Sequence, residues 1–231
     1  MSTSIIVPCR NEVGSIESLL SSILPILGPE DELIIVEGGS YDATWQVVKK
    51  FASVHTGVSI LQQNGKGKFN AVLNGIEIAK CEHVMIWDAD GTVAFADNLR
   101  IFHLKIEEPY IATGDRLRGT REANAMQAAN FVGNWLFAIL WGLLLSRPPF
   151  DTLCGTKKFP TKLLKESPNW LTSSDPYGDF SILAMSRIKR IKVISIPVQY
   201  SARKYGQTNI HRWSGGLLLL KFVVKVVLKG R

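Results

Sequence analysis

The feature of this sequence that most constrains its fold is an alternation of strand-like and helix-like segments over the first 90 residues. Short runs rich in β-branched and apolar residues lie at 4–8, 32–40, 58–64 and 83–90, and segments with helical periodicity lie between them at 13–27, 42–54 and 67–79. Strands that alternate with helices at this spacing predict a mostly parallel sheet covered by helices. We therefore expect an α/β fold.

Polar clusters follow three of these strand-like runs. "PCRNE" closes the first run, "EGGS" closes the second and "DAD" closes the fourth. The carboxyl ends of parallel strands meet at one edge of a sheet, which is where ligands bind in such folds. The three clusters therefore predict one ligand site.

The second half of the chain continues this pattern less regularly. Strand-like runs lie at 110–116 and 190–200, an apolar helical segment at 130–145, and an apolar tail at 214–231. We find neither an internal repeat nor a low-complexity linker. We expect the second half to add strands to the same sheet and to build an acceptor side, within one domain over 1–213 followed by a C-terminal helix.

Asp88 and Asp90 stand one residue apart at the end of an apolar run. If the strand continues through them, their side chains point in the same direction. Two neighbouring carboxylates beside buried residues require a positive charge. Mg²⁺ bound by carboxylates and substrate phosphates would supply one, and a pair of loop or helix-capping acids is the structural alternative.

Two further segments carry weaker signals. Glu37, before the Gly38-Gly39 turn, could accept hydrogen bonds from a base or ribose, although turn chemistry alone explains the glycines. Lys66 and Lys68 stand beside glycines where a helix begins, a combination that favours an anion. Neither a P-loop nor a dinucleotide-binding glycine motif occurs.

Taken in order, these motifs resemble those of family 2 glycosyltransferases of the GT-A fold. The segments that carry the resemblance are "SIIVPCRNE", "VEGGSYDAT", "NGKGKFNAVLNGI" and "WDADG". The later segments "TGDR", "DTLCGTKKF", "DPYGDFSI" and "PVQYSARKYGQTNIHRW" are similar to the dolichyl- or polyprenyl-phosphate mannose synthase-like branch. The resemblance covers nearly the whole chain.

The resemblance implies a role for each matching residue. The residues expected around the nucleotide are Pro8, Arg10, Asn11, Glu12, Glu37 and Asp88, with Lys66 added from the basic glycine-rich segment. Asp88 and Asp90 would hold Mg²⁺ or Mn²⁺. The phosphate- or acceptor-binding residues would be Arg116, Arg203 and Arg212, and the catalytic residues would be Asp151, Asp179 and Arg203.

Four positions depart from the family pattern. Glu37 and Gly38 replace the usual pair of acids, and Thr92 stands where related synthases often have a glutamine ligand. Asn209 replaces a common lysine, so Arg212 or Lys204 would have to supply that charge. These changes leave the sugar and the base unassigned.

The charge of the chain is unevenly distributed. The formal net charge is +7, and the segment from Phe180 to Arg231 holds eleven lysines and arginines but no aspartate or glutamate. Such a segment predicts an anionic partner or a solvated basic face. Nucleic acid, acidic lipid and a phosphorylated substrate each fit by charge, and the family resemblance favours the last two.

The tail also suggests a membrane surface. Lys221, Lys225 and Lys229 recur every four residues, and the apolar stretch 217–228 is far shorter than the roughly 20 residues that span a bilayer. This pattern favours a helix lying in an anionic interface, with packing against the domain or a partner subunit as the alternative. For 134–145, an interfacial helix and a buried core helix are equally compatible with the sequence.

The expected protein is therefore a metal-dependent inverting glycosyltransferase. It would use a UDP- or GDP-sugar and a polyprenyl-phosphate acceptor at the cytoplasmic face of a membrane and would bind that membrane peripherally, with a homo-oligomer left open. The three cysteines lack metal-type spacing, which suits a reducing compartment, and we expect no signal peptide. The alternatives are a soluble or protein hydroxyl acceptor, or a non-catalytic nucleotide-sugar-binding or membrane-docking protein.

Overall fold

The computed structural model describes residues 1–105, 107–123, 125–173, 175, 177–203, 205 and 212–229, apart from the side chains of 212–214. The strands in these ranges are β1 (Thr3–Cys9), β2 (Glu32–Glu37), β3 (Val58–Gln62), β4 (His83–Ile86), β5 (Tyr110–Asp115), β6 (Lys157–Pro160) and β7 (Lys192–Pro197). The helices are α1 (Ile16–Ile23), α2 (Thr44–Val54), α3 (Lys68–Ile78), α4 (Phe95–Phe102), α5 (Ala128–Leu144), α6 (Lys162–Lys165), α7 (Asn169–Thr172), α8 (Asp179–Lys189) and α9 (Arg212–Lys229).

All seven strands belong to one sheet, in the order β3-β2-β1-β4-β6-β5-β7. Every neighbouring pair is parallel except the two that involve β6, which runs antiparallel to β4 and to β5. The prediction that the second half extends the same sheet is confirmed. Strand β6 was not predicted, because its four residues "KKFP" begin with two lysines and show no apolar run.

The sheet separates two hydrophobic clusters. Alternate residues of β1 enter different clusters: Ile6 packs with residues of α3, α6, α8 and α9, whereas Ile5 and Val7 pack with residues of α1, α2 and α4. This alternation follows from the two-residue period of a strand. Both faces of the sheet are therefore buried, as expected for parallel strands covered by helices.

Among the element boundaries that differ from the prediction, two have consequences for the argument. Strand β4 ends at Ile86, so Asp88 and Asp90 lie in the turn after it and not on the strand. Helix α1 is shorter than 13–27; it is followed by a 3₁₀ turn at Leu24–Ile26, where Pro25 cannot donate a helical hydrogen bond.

Helix α9 packs against the domain along one face. Leu219, Phe222, Val223 and Val226 are buried in the cluster that contains α8. The ammonium groups of Lys225 and Lys229 lie 5.7 and 6.0 Å from the ring centroid of Trp170 in α7. Among the described residues, no helix combines the length and apolar character needed to cross a bilayer.

Candidate active site

The candidate site lies at the edge where the parallel strands end. Cys9 of β1 pairs with Glu37 of β2 at this edge, and Ile86 of β4 pairs with Lys157 of β6. Because β6 is antiparallel, its first residue, Lys157, stands at the edge where its neighbours have their last residues. The sheet therefore brings acids and a buried lysine together from distant parts of the chain.

The two aspartates of "DAD" are each paired with a cation of the protein. Lys68, the first residue of α3, forms an ion pair with Asp88. Arg203 donates to Asp90 Oδ2 at 2.7 Å, and Thr92 donates to Asp90 Oδ1 through its backbone N–H (3.1 Å) and its hydroxyl (2.8 Å). Burial opposes the charge of Asp90, but Arg203 and Thr92 outweigh it and lower the pKa of this carboxyl.

Arg203 also reaches the loop after β1. Its guanidinium lies 3.4 Å from Glu12 Oε1, so it joins Glu12 to Asp90 across the strand ends. Glu12 is buried, and Thr44 accepts its backbone N–H at 2.9 Å. Burial raises the pKa of Glu12, and the nearby Arg203 offsets part of this effect. The segment after β7 thus covers the ends of β1 and β4.

The loops after β1 and β2 are joined by hydrogen bonds. The backbone N–H of Asn11 donates to Ser40 Oγ, and the N–H of Tyr41 donates to Asn11 Oδ1, both at 2.9 Å. Asn11 has a φ of 55°, a left-handed conformation that asparagine tolerates. The two loops, predicted to meet from sequence, therefore form one rigid wall of the site.

Glu37 faces inward at this wall. Its carboxylate accepts the N–H of Ser40 at 2.5 Å and the side-chain amide of Gln62 at 3.3 Å, and it is almost fully buried. Burial opposes ionisation, but the hydrogen bonds from Ser40 and Gln62 lower the pKa of Glu37 overall. Contact with a base remains a prediction, and these bonds show that Glu37 also supports the turn.

The other residues expected around the nucleotide occupy less enclosed positions. Pro8 lies on β1 and is half-buried. Arg10 is exposed, and its guanidinium lies 5.4 Å from the ring centroid of the exposed Tyr41. Lys66 is also exposed, whereas Lys68, two residues later, makes the ion pair with Asp88. The sequence marked both lysines as favouring an anion but assigned a nucleotide-binding role only to Lys66, and Lys68 is the better-placed of the two.

Asp179 begins α8 and faces the same edge. Lys157, which has no exposed surface, donates to Asp179 Oδ1 at 2.5 Å and also to the carbonyl of Cys154. The charges of Asp88 and Asp179 raise the pKa of Lys68 against the opposing effect of burial. Asp179 therefore stands close to the Lys68–Asp88 pair. Lys157 was missed from sequence because, within "DTLCGTKKF", only Asp151 was given a role.

Asp151 and Arg116 form a separate, more deeply buried pair. The Arg116 Nε and Nη2 atoms donate to the two Asp151 oxygens at 2.6 and 3.0 Å, and the guanidinium lies 5.1 Å from the ring centroid of Tyr200. Asn134 of α5 and the N–H of Leu153 also donate to Asp151, at 2.8 and 3.0 Å. Since Asp151 has no exposed surface, this geometry favours positioning of Arg116 over direct contact with substrate.

A divalent metal fits the donor set of this edge. Carboxylate oxygens are the ligands that Mg²⁺ and Mn²⁺ prefer, and two carboxylates suffice when substrate phosphates complete the coordination. Gly155 lets Asp88 and Lys68 pack closely against the backbone of the loop before β6, because a Cβ at this position would lie 2.2 Å from Asp88 Oδ2 and from Lys68 Nζ. Within the described residues, no group of three or more acids, histidines or cysteines could hold a metal by itself.

Part of the predicted phosphate-binding segment lies outside the described residues. Lys204 and Asn209 are not described, and of Arg212 only the backbone at the start of α9 is. Their expected roles stay predictions.

The arrangement of motifs and strand ends matches a known family. The family model for "Glycosyl transferase family 2" matches residues 4–167, which run from β1 through α6 and include the "DAD" turn. The chain belongs to this family. It is therefore a glycosyltransferase with a nucleotide-sugar donor, as the sequence motifs predicted.

Curated relatives agree with the branch named from sequence. The chain is 26% identical to a dolichyl-phosphate hexose transferase of Haloferax volcanii over 99% of this chain and 95% of the relative. It is 27% identical to a dolichyl-phosphate β-glucosyltransferase of Trichomonas vaginalis over 86% of this chain and 64% of the relative. A poly-β-1,6-N-acetyl-D-glucosamine synthase of Staphylococcus epidermidis is 36% identical over 39% of this chain, which covers 22% of that relative.

Solved structures confirm the GT-A fold. Glucosyl-3-phosphoglycerate synthase of Mycobacterium tuberculosis, crystallised with Mn²⁺, UDP and glucosyl-3-phosphoglycerate, aligns with a TM-score of 0.65 at 16% identity, covering 99% of this chain and 79% of that chain. Mannosyl-3-phosphoglycerate synthase of Rubrobacter xylanophilus aligns with a TM-score of 0.70 at 12% identity, covering 99% of this chain and 74% of that chain. At these identities the likeness concerns the fold alone.

Proposed function

We propose that this enzyme transfers a sugar, with inversion at C1, from a UDP- or GDP-sugar to a polyprenyl phosphate at the cytoplasmic face of a membrane. The observation that carries the proposal is the alternation of acids and cations at the strand ends. Lys68–Asp88, Arg203–Asp90 and Lys157–Asp179 place three pairs along one edge. Such an edge can bind a diphosphate through its cations and a metal through its carboxylates.

The reaction requires stabilisation of the leaving diphosphate. As the bond from C1 to the diphosphate oxygen breaks, negative charge grows on the leaving group, and preorganised cations lower the energy of that state. Lys68 and Arg203 are the described cations nearest the two aspartates. Asp88 and Asp90 would hold Mg²⁺ or Mn²⁺, which supplies additional positive charge to the diphosphate.

The acceptor side would lie around Asp179 and Arg116. A phosphate acceptor is already ionised near neutral pH, so it does not require a strong general base. Asp179 would then orient the acceptor or the sugar, next to Lys157. Arg116, fixed by Asp151, would face the acceptor phosphate. The relative of Haloferax volcanii, matched over nearly the full length of both chains, supports a dolichyl-type lipid as the acceptor class.

The proposal is tested first by ligand binding. A thermal-shift screen of UDP- and GDP-sugars with and without Mn²⁺ identifies the donor, because a ligand that binds only the folded state raises its unfolding temperature. We expect one nucleotide to stabilise the protein, and to do so more strongly with the metal. If no nucleotide sugar stabilises the wild-type protein, the donor assignment is wrong.

The matched variant is Asp90→Asn, which keeps the shape of the side chain but removes its charge. We expect the metal-dependent stabilisation to disappear and transfer to a polyprenyl phosphate to fall on the order of 100-fold, because a metal contributes several kcal/mol of charge stabilisation. As a control, Glu166→Gln removes an acid from an exposed surface pair. It should change neither the metal-dependent stabilisation nor the rate of transfer to a polyprenyl phosphate. Faster transfer to soluble hydroxyl acceptors than to polyprenyl phosphate would overturn the acceptor assignment.

A further inference from the structure

The turn that precedes α8 determines where Asp179 stands. The buried Asp175 fixes the shape of this turn, because its two carboxylate oxygens accept the backbone N–H groups of Tyr177 at 3.0 Å and of Ser181 at 2.7 Å. Asp179 then begins α8 and pairs with Lys157. Since these hydrogen bonds tie the turn to the first residues of α8, a shift of the turn also shifts the carboxylate of Asp179.

The turn packs closely against α3. A Cβ at Gly178 would lie 2.2 Å from Cδ2 of Phe69, so the backbone of the turn touches the ring itself. Phe69 directly follows Lys68, the partner of Asp88. The turn before α8 is therefore in contact with the helix that carries a cation of the donor side.

Helix α9 meets the same turn through Tyr177. A Cβ at Gly215, in the first turn of α9, would lie 2.3 Å from the Tyr177 Oη atom and 3.3 Å from its Cζ atom. The hydroxyl of Tyr177 thus occupies the space that a side chain at position 215 would need. At Gly216, among the described residues, no atom outside the adjoining stretch of helix lies within 4 Å of such a Cβ. Of these two adjacent glycines, packing requires the first.

The chain that leads into α9 comes from the donor side of the site. Arg203 lies 3.4 Å from Glu12 and 2.7 Å from Asp90, and Gly215 follows it by only 12 positions. A short stretch of chain therefore links the start of α9 to the residue that covers the donor side, and Tyr177 links it to the turn before α8.

We propose that Tyr177 is a positioning residue for the transfer reaction: its hydroxyl, packed against Gly215, makes the position of Asp179 depend on the position of the first turn of α9. When the segment of Arg203 rearranges to admit a diphosphate, the start of α9 and the turn before α8 adjust together, so covering the donor aligns the acceptor side. Misplacement by about 1 Å is enough to slow such a reaction strongly. The inference rests on the proposed function for the role of Asp179, whereas the coupling itself is measurable without donor or acceptor.

The test uses two substitutions that disturb the contact singly and restore it together. Gly215→Ala places a methyl group on the Tyr177 hydroxyl, whereas Tyr177→Phe removes the hydroxyl and leaves a gap beside Gly215. In the double variant the methyl group fills that gap. Gly216→Ala is the matched control, because it gains the same helix propensity without a steric conflict.

Steady-state kinetics measure the effect on transfer to a polyprenyl phosphate. We expect kcat to fall about tenfold or more in Gly215→Ala and about fivefold in Tyr177→Phe, and to return to within about twofold of wild type in the double variant. The KM for the nucleotide sugar should stay unchanged, because the residues around the donor keep their contacts, and Gly216→Ala should equal wild type. Equal kcat values for the two glycine variants, or no recovery in the double variant, would overturn the inference.

Amide hydrogen exchange provides a readout that needs no substrate. The N–H groups of Tyr177 and Ser181 should exchange faster in Gly215→Ala than in wild type, and at the wild-type rate in the double variant and in Gly216→Ala. If Gly215→Ala does not fold, the double variant must restore both folding and kcat for the inference to stand. If wild type transfers no sugar, the proposed function fails, and the exchange rates still decide whether Tyr177 couples α9 to the turn.

Discussion

At the scale of single residues, the site is a set of opposite charges drawn from distant parts of the chain. Asp88 and Asp90 follow β4, whereas their partners Lys68 and Arg203 begin α3 and follow β7. A nucleoside diphosphate with its metal carries the same two kinds of charge. We therefore expect the diphosphate to replace the carboxylates as partner of the protein's cations, and the metal to replace the cations as partner of the carboxylates. No partly buried carboxylate or cation would then be left unpaired.

The buried pair of Asp151 and Arg116 gives a first prediction. Asp151→Asn keeps the shape but leaves the mostly buried Arg116 guanidinium without its counter-charge. We expect the free energy of unfolding to fall by about 3–5 kcal/mol, the cost typical of breaking a buried pair from one side. Urea denaturation followed by circular dichroism measures it.

The matched control for that prediction is an exposed pair. Glu166→Gln breaks the contact to Lys189 (3.3 Å), in which both side chains are about half exposed, and it should cost less than about 1 kcal/mol. Equal effects of the two substitutions would show that Asp151 is not needed to compensate the charge of Arg116.

At the scale of elements, β6 carries a buried lysine that makes stability depend on pH. Lys158 donates to the carbonyls of Phe102 and Leu104, at 2.6 and 3.1 Å. Burial lowers the pKa of Lys158 from its ordinary value of 10.5 to about 8. Between these values the unfolded chain binds the proton more strongly than the folded chain, so the free energy of unfolding should rise as the pH increases above about 8.

The substitution Lys158→Met isolates this effect. It removes the titrating group while nearly preserving the volume of the side chain, so the difference in unfolding free energy between wild type and variant should shift in favour of wild type above pH 8. Denaturation midpoints at a series of pH values measure it, and other ionising groups cancel in the difference. A difference that does not change with pH would mean that Lys158 keeps its ordinary pKa.

Helix α9 provides the second prediction at this scale. Phe222 is buried against Phe180, whereas Leu228 is 74% exposed on the same helix. Phe222→Ala should lower the free energy of unfolding by about 3–5 kcal/mol, because it leaves a cavity in the core, and Leu228→Ala should have an effect below about 0.5 kcal/mol. Urea denaturation compares them. Similar, small losses would mean that α9 does not pack on the domain in solution.

At the scale of the whole molecule, one sheet carries both hydrophobic clusters. Trp87 is buried in one cluster and Trp141 in the other. The strands of the sheet contribute residues to both clusters, which favours cooperative unfolding of the two. We expect urea transitions followed by tryptophan fluorescence and by far-UV circular dichroism to have the same midpoint. Two separate transitions would indicate that the part beyond β4 unfolds as its own unit.

An element could be predicted from the sequence when the residues of that element alone carried the pattern that marks it. Strands β1, β2 and β4 were identified because a run of apolar residues marks a strand buried on both faces. Strand β6 was missed because its first two residues are lysines, whose burial is possible only through partners elsewhere: Asp179 for Lys157 and two carbonyls for Lys158. No sequence window contains those partners.

The distinction between local signals and distant partners also applies to the site and to the whole protein. The sequence by itself determined the α/β class and the order of the motifs, because strand period and turn residues are local properties, and it predicted a metal for the two carboxylates of "DAD". Only the tertiary structure decided which charges pair: Lys68 with Asp88, Arg203 with Asp90, and Arg116 with Asp151. It also decided that α9 packs on the domain while α5 exposes an apolar face. Arg203 and Asp90 are 113 positions apart in sequence, and they meet only because the fold returns the segment after β7 to the ends of the parallel strands.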